Sequence, residues 1–355
     1  MARWIGTVVL VVVAGLLVAF EAQALFVLFG GVLLAIFLKT LAELVVRHTR
    51  MPYWLAVVEL VVVFVASAVG LAIAAGPTLV TQTSNLVQAL PPALHEIETR
   101  LAQYFGDGVF GSRLEELRPT TSTLLAGARG AVTGSMQGIA ALVVMLFLGF
   151  YGALSPKSYA RVMTAVLPPQ HRPRARQVMS EAARRLGRWL VGRAIAMGFV
   201  AVTTCVGLLA LHIPLALVLG VLAGVLTFIE FFGPILSSIP PILLALNRSP
   251  TQAAWVIVLF LGIHLVEGYI LTPFIARRAV HFPPACTLSL QALFGALFGV
   301  LGLTFATPTG IVLVTIVELL WVRDVLGEAG LPVQKVSSTA RSSVEASTTS
   351  QRVQQ

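Results

Sequence analysis

The chain has 355 residues, 57% hydrophobic and only 11% charged, with a mean hydropathy of +0.91. No soluble domain carries that balance, so the sequence predicts an all-α, polytopic membrane protein of about eight apolar helical segments. The net charge of +9 does not point to nucleic acid, because the basic residues gather in short links between apolar runs, where positive-inside topology places them.

Arg3 precedes an apolar run, Ile5 to Phe20, followed by Glu21-Ala22-Gln23-Ala24. A secretory signal peptide has that shape, but a second apolar run begins at Ala24 and continues to Leu38. A retained helical hairpin with Glu21 at its outer turn is the favoured reading. A polar link carries Lys39, Arg47 and Arg50 against Glu43, and a third helix is predicted from Tyr53 to Ala75. Tyr53 and Trp54 stand at its start, where interfacial aromatics belong. These N-terminal helices make up residues 1–80. Residues 81–136 are polar, with Leu86, Leu90, Leu94, Ile97 and Leu101 on one helical face and five acids against four arginines. They read as an amphipathic extracytoplasmic segment lying on the membrane, on the protein or on another subunit.

Residues 137–193 hold a fourth helix, Gly138 to Leu154, and a loop from Ser155 to Arg193 with nine basic residues against Glu181. That excess places the loop, and with it both termini, in the cytoplasm of the inner membrane. The run Arg184 to Arg188 is either a plain topology anchor or a contact for anionic headgroups. Residues 327–355 are Ser/Thr/Gln-rich and read as a disordered tail.

Residues 194–326 carry the transport-like pattern. Helix five is predicted from Ala194 to His212 and helix seven from Gln252 to Thr272. Between them, Pro214 to Leu246 is an apolar stretch broken at Glu230-Phe231-Phe232-Gly233-Pro234. Its arms, 215–229 and 235–246, reach about 22 and about 18 Å against a hydrocarbon core of roughly 30 Å. Two short arms around a Gly-Pro break predict a hairpin with its tip at membrane depth, where protein or water must satisfy the freed backbone. A second apolar stretch, 285–322, is predicted to break at Ala306-Thr307-Pro308-Thr309-Gly310. The first arms carry the G-x-x-x-G pairs Gly220/Gly224 and Gly295/Gly299, read as helix-packing signals. Each unit is one crossing helix plus one hairpin, so the two copies have opposite orientation, an inverted repeat with a site expected at its interface.

Candidate chemistry is confined to a few residues. His264 and Glu267 are three apart and share a helical face. They form either a structural pair locking the bundle or a proton- or cation-handling pair, since imidazole titrates near neutral pH. Glu230, the carboxylate at the first tip, could coordinate a cation with carbonyls freed by the break, stay protonated, or pair with an arginine. Glu318 is expected at the interface. Cys205 and Cys286 read as buried free thiols, with no disulfide or metal pattern and no cofactor motif. No metalloprotease, nucleophile-elbow or Walker A motif is present, so the chain is not expected to be an enzyme.

These residues resemble a known family. Trp189-Leu190-Val191-Gly192-Arg193, Phe228 to Pro234, Glu267-Gly268 with Leu271-Thr272-Pro273, and Gly295 to Pro308 are similar to the motifs of the autoinducer-2 exporter family of bacterial permeases. The resemblance runs from the first helix to about Arg323. It implies a multi-pass inner-membrane transporter, export of autoinducer-2 or another small metabolite, sodium/proton antiport in some members, and assembly as a homo-oligomer. Three departures stand out: Glu230 where the family has proline, and Arg193 and His264 where it has glutamine. The reading is therefore a permease for a small polar solute, coupled to H+ or Na+ or passive, in the lipid bilayer and with no nucleic-acid partner. Its pathway would involve Glu230, Phe231, Gly233, Pro234, His264, Glu267, Pro273, Pro308 and Gly310. The alternatives are a sodium or lithium/proton antiporter of the same fold and a non-transporting membrane scaffold.

Overall fold

The computed structural model describes residues 22–67, 140–271 and 284–322, with isolated positions between 69 and 138. The regular elements among them are α1 (Ala22–Thr49), α2 (Tyr53–Ser67), α3 (Ala140–Leu154), α4 (Pro156–Ala165), α5 (Arg172–Ala210), α6 (Ala216–Leu226), α7 (Phe232–Leu246), α8 (Pro250–Val266) and α9 (Pro284–Val317). A short turn at Pro169–His171 leads into α5, and π turns at Glu267–Leu271 and Glu318–Val322 extend α8 and α9. α1, α5, α8 and α9 are long and apolar enough to cross a membrane. α3 and α4, bent by 97° across Ser155, make a fifth candidate, while α2, α6 and α7 are shorter apolar helices. The protein is therefore a polytopic, helical membrane protein. The first apolar run, nearly all of 81–136, Pro273 and the tail 327–355 lie outside the described residues.

Two expectations change. The basic segment is largely helical: α4 occupies Pro156–Ala165, and α5 begins at Arg172 and runs unbroken to Ala210. The predicted start of helix five at Ala194 thus falls inside a longer helix. Pro173 sits in the first turn, where its missing N–H costs nothing. Beyond it Val178, Ala182, Leu186 and Leu190 continue one buried stripe into Ala196, Val200, Thr204 and Leu208. Arg172 closes the bend before α5, donating from Nε and Nη2 to the carbonyls of Leu167 (2.9 Å) and Ala165 (3.0 Å).

The second change concerns α9. The break lies at Gly299, not at Ala306–Gly310, and Pro308 and Gly310 are helical. Gly299 adopts φ 61°, ψ −140°, which glycine reaches without a Cβ penalty. Residues 294 and 302 of a straight helix would stand about 12 Å apart. Here a Cβ on Gly302 would run into the Phe294 carbonyl, and Leu303 lies against Gly295. The arms therefore fold back at Gly299, which is a turn residue and not half of a packing pair. Cys286, on the first of these arms, is exposed and not buried.

The two breaks use one device. In the first, a Cβ on Gly233 would run into the Leu226 carbonyl, as one on Gly302 would into Phe294. Each turn residue with positive φ, Phe231 or Gly299, is followed nine positions later by a proline inside the second arm, Pro240 or Pro308. Pro308 corresponds to Pro240 by this register and not to Pro234.

Packing relies on small residues, as it must where lipid is as apolar as the side chains. Gly30 and Gly31 of α1 lie against Met145 and Leu148 of α3, and Gly149 and Gly152 of α3 against Leu34 and Ala35. Gly187 of α5 abuts Thr40 of α1. Gly220 and Gly224 of α6 lie on α5, against Ala201, Cys205 and the Met197 carbonyl. One apolar core joins α5 to α8 through Val200, Leu208, Leu219, Ala223, Leu244, Val256 and Phe260. A second joins α1, α5 and the last arm of α9 through Leu33, Leu186, Leu190, Phe305 and Ile311, with Phe228 of the first break packed against it.

Candidate functional site at the first break

The site is built from three elements. At the first break, Ile229 and Gly233 still make helix-like backbone contacts, Ile229 N–H donating to Leu226 (2.9 Å) and Gly233 N–H to Ile229 (3.1 Å). Between them Phe232 N–H donates to the Glu230 carbonyl at 2.6 Å. With Phe231 at φ 60°, ψ −54°, residues 230–232 form the rarer, positive-φ γ-turn, a strained conformation for a non-glycine residue. Phe231 points outward, 40% exposed, and Gly233 is buried. Pro234 enters the first turn of α7, where no N–H is needed.

α5 supplies Trp189 and Arg193, four apart and so on one face. Trp189 Nε1–H donates to Glu230 Oε1 at 3.2 Å, and its ring meets Phe228 edge-on with centroids 5.6 Å apart. Arg193 donates from Nε to the Phe228 carbonyl at 3.3 Å. Its Nη1 lies 3.6 Å from Glu267 Oε1, both side chains nearly buried at 13% and 11% exposure. The break's freed carbonyl is thus satisfied by protein, as burial requires.

α8 supplies the remainder. Glu267 opens the π turn that extends the helix, a widening common at functional sites. Its Oε2 lies 2.9 Å from His264 Nδ1, while His264 Nε2 is buried and has no hydrogen-bond partner among the described residues. The sequence pairing of His264 with Glu267 is present in space, and Arg193 and Glu230 stand beside it. Among the described residues the site thus brings together two carboxylates, one guanidinium and one imidazole.

Pro308 and Gly310 sit elsewhere. Both are buried in the apolar layer of Phe305 and Ile311 that backs the break, not among the charged groups. Pro273 lies outside the described residues. Glu318, expected at an interface, is buried and bonded to Arg185 at 2.7 Å.

Along the sequence Arg193 counts as the last charge of a basic loop and not as a pathway residue. The available signal was its spacing: Trp189 and Arg193 continue the helical face of Leu186 and Leu190. Gln291, fully buried on the first arm of α9 with its amide unpartnered among the described residues, gave no motif at all.

Comparison with known proteins agrees with this architecture. The sequence model of the AI-2E family transporters matches residues 7–321. Among similar chains, two from Bacillus subtilis strain 168 are each 23% identical: "Putative transport protein YueF", over 79% of this chain and 81% of its own length, and YrrI, named in the same way, over 87% and 93%. A third, MT0215 of Mycobacterium tuberculosis, likewise named, is 28% identical over 67% of this chain and 65% of its own. A family match across nearly all of the apolar sequence, on a bundle of membrane-length helices, means that the chain belongs to the AI-2E family of membrane transporters.

Proposed function

We propose that this transporter is an ion-coupled permease of the bacterial inner membrane that moves a small polar solute or signal metabolite by alternating access. The cluster of Glu230, Arg193, His264 and Glu267 is its coupling site, and the two hairpins, inverted with respect to each other and with both chain termini cytoplasmic, form the moving core. The carrying observation is the gathering of Glu230, Arg193, His264 and Glu267 at the first break, with the Arg193 and Glu267 side chains nearly buried. Ionisable groups within a membrane bundle are costly unless they are paired or line a wet pathway, and their gathering at a broken helix supports a coupling role. Imidazole is the side chain that ordinarily changes charge between pH 5 and 8, and His264 Nε2 is the atom without a partner among the described residues. All three departures from the family pattern, Glu230, Arg193 and His264, meet in this cluster.

The same cluster also supports a second reading, sodium or lithium/proton antiport without an organic solute. Purified protein in liposomes with an internal pH-sensitive dye separates the two. Proton movement that needs an added organic solute, and that Glu267→Gln and Glu230→Gln abolish, is the expected result. Movement triggered by sodium or lithium alone would establish antiport. Unchanged flux and pH dependence in both variants would remove the cluster from the mechanism and favour a non-transporting scaffold.

A further inference from the structure

We propose that α4 is a membrane-surface helix that docks on anionic lipid headgroups, its exposed apolar stripe sunk into the edge of the hydrocarbon and its basic residues held by the lipid charge. The proposal stands on the free face of α4 and on no residue of the cluster at the first break.

α4 turns away from α3 by 97° across Ser155. α3 packs along α1, a helix of membrane-crossing length, through Gly149 and Gly152 against Leu34 and Ala35. A helix set nearly at right angles to that pair runs along the bilayer surface and not through it. At the helical period its side chains fall into three stripes. Pro156, Ala160 and Thr164 form the packed side, with Thr164 fully buried and its hydroxyl accepting from Arg176 Nε of α5 at 3.4 Å. Lys157, Ser158 and Arg161 form a polar side. Tyr159, Val162, Met163 and, just past the helix end, Val166 form the third, three and four residues apart. They are 47, 70, 62 and 87% exposed, an apolar stripe that no described residue covers.

Charge and position decide what covers it. From Ser155 to Ser180 there is no acidic residue, against Lys157, Arg161, Arg172, Arg174 and Arg176. A second copy meeting α4 face to face would set these cations against their own copies, which like charge disfavours. A leaflet with anionic headgroups offers the opposite charge, each Lys or Arg near it strengthening attachment about fivefold. An apolar face opposite a basic one is the pattern of a helix lying in the headgroup region, and Tyr159 is an aromatic suited to that depth. The docked helix is also tied to the bundle. Arg172 holds its end through the carbonyls of Leu167 and Ala165, and two residues on Arg174 holds the Leu319 carbonyl at 2.7 Å. Docking of α4 thereby sets the level of the α5 end that grips the second hairpin.

The test uses the full-length protein with Cys205 and Cys286 replaced and one fluorescent label, on Val162→Cys or on Ser158→Cys, in nanodiscs. The bilayer is phosphatidylcholine alone or mixed with phosphatidylglycerol, and the quenchers are a spin label on the lipid acyl chain and acrylamide in the water. In the mixed bilayer the label at 162 is expected to be quenched by the acyl-chain spin label and the label at 158 by acrylamide. Quenching at 162 by the acyl chain is expected to fall by about half or more without phosphatidylglycerol, and likewise in the mixed bilayer when Lys157→Gln and Arg161→Gln are combined. The change of lipid alters no residue, so the test holds even if the charge variant fails to fold. Equal access of acrylamide to both positions would overturn the proposal, since α4 would then stand clear of the bilayer. Protection of position 162 from both quenchers would overturn it in favour of a protein cover, a second copy or another part of the chain. Acyl-chain quenching that ignores phosphatidylglycerol would overturn the role of anionic lipid. Because the readout is lipid contact and not flux, its failure is separable from failure of the transport reading, which the liposome experiment decides.

Discussion

At residue scale, the break is held by one strained side chain and one obligatory glycine. Phe231 pays a conformational cost of about 1–3 kcal/mol at positive φ and is too exposed to recover it by burial. Phe231→Gly is expected to raise stability by about 1 kcal/mol, strain relief exceeding the extra chain entropy of glycine. Phe231→Ala, which keeps the Cβ, is expected to bring no such gain, and thermal unfolding of the two variants in detergent compares them. Retained strain in a protein that a glycine would stabilise points to a tip whose conformation is used, and flux measured on Phe231→Gly addresses that directly.

At the scale of elements, α5 organises the molecule. It meets α1 through Gly187, α6 through the faces of Gly220 and Gly224, and α8 through Val200 and Leu208. A Cβ on Gly224 would stand 2.6 Å from the Ala201 Cβ and 2.8 Å from the Met197 carbonyl. Gly224→Leu is therefore expected to cost about 1–3 kcal/mol by overpacking. Gly198→Leu, with nothing near its Cβ among the described residues, is expected to be close to neutral. Melting temperatures of the two variants check the pair, and equal losses would mean that α6 and α5 do not meet through this surface.

At the scale of the whole molecule, α5 also ties the two hairpins together. Arg193 reaches the first break, while Arg185 donates to Glu318 at 2.7 Å and Arg174 to the Leu319 carbonyl at 2.7 Å, at the end of the second hairpin. Arg185 is shared with Glu181 at 2.9 Å, and the Arg185 and Glu318 side chains are nearly buried. If the hairpins move in the transport cycle, this end must open or shear. A bismaleimide cross-link between Arg185→Cys and Glu318→Cys, with Cys205 and Cys286 replaced, is expected to stop flux that each single-cysteine variant retains under the same reagent. Full flux in the cross-linked protein would mean that the cycle leaves this contact closed.

Much of the architecture was legible along the chain. The apolar runs, the break at Glu230–Pro234, the pairing of His264 with Glu267 and the family resemblance follow from local composition and spacing, because membrane depth and helical period impose their patterns on contiguous residues. What local pattern could not carry was everything that depends on register across elements. Proline at 308 reads as a stop, yet the chain turned at Gly299, where a backbone approach to Phe294 tolerates no side chain. Arginine at 193 reads as a loop charge, yet a helix extending back to Arg172 carries it into the bundle. Sequence by itself determined the membrane class, the apolar runs and the first break. Only the tertiary structure decided that Arg193 reaches the Phe228 carbonyl and Glu267, because a buried charge is partnered by neighbours that are distant in sequence.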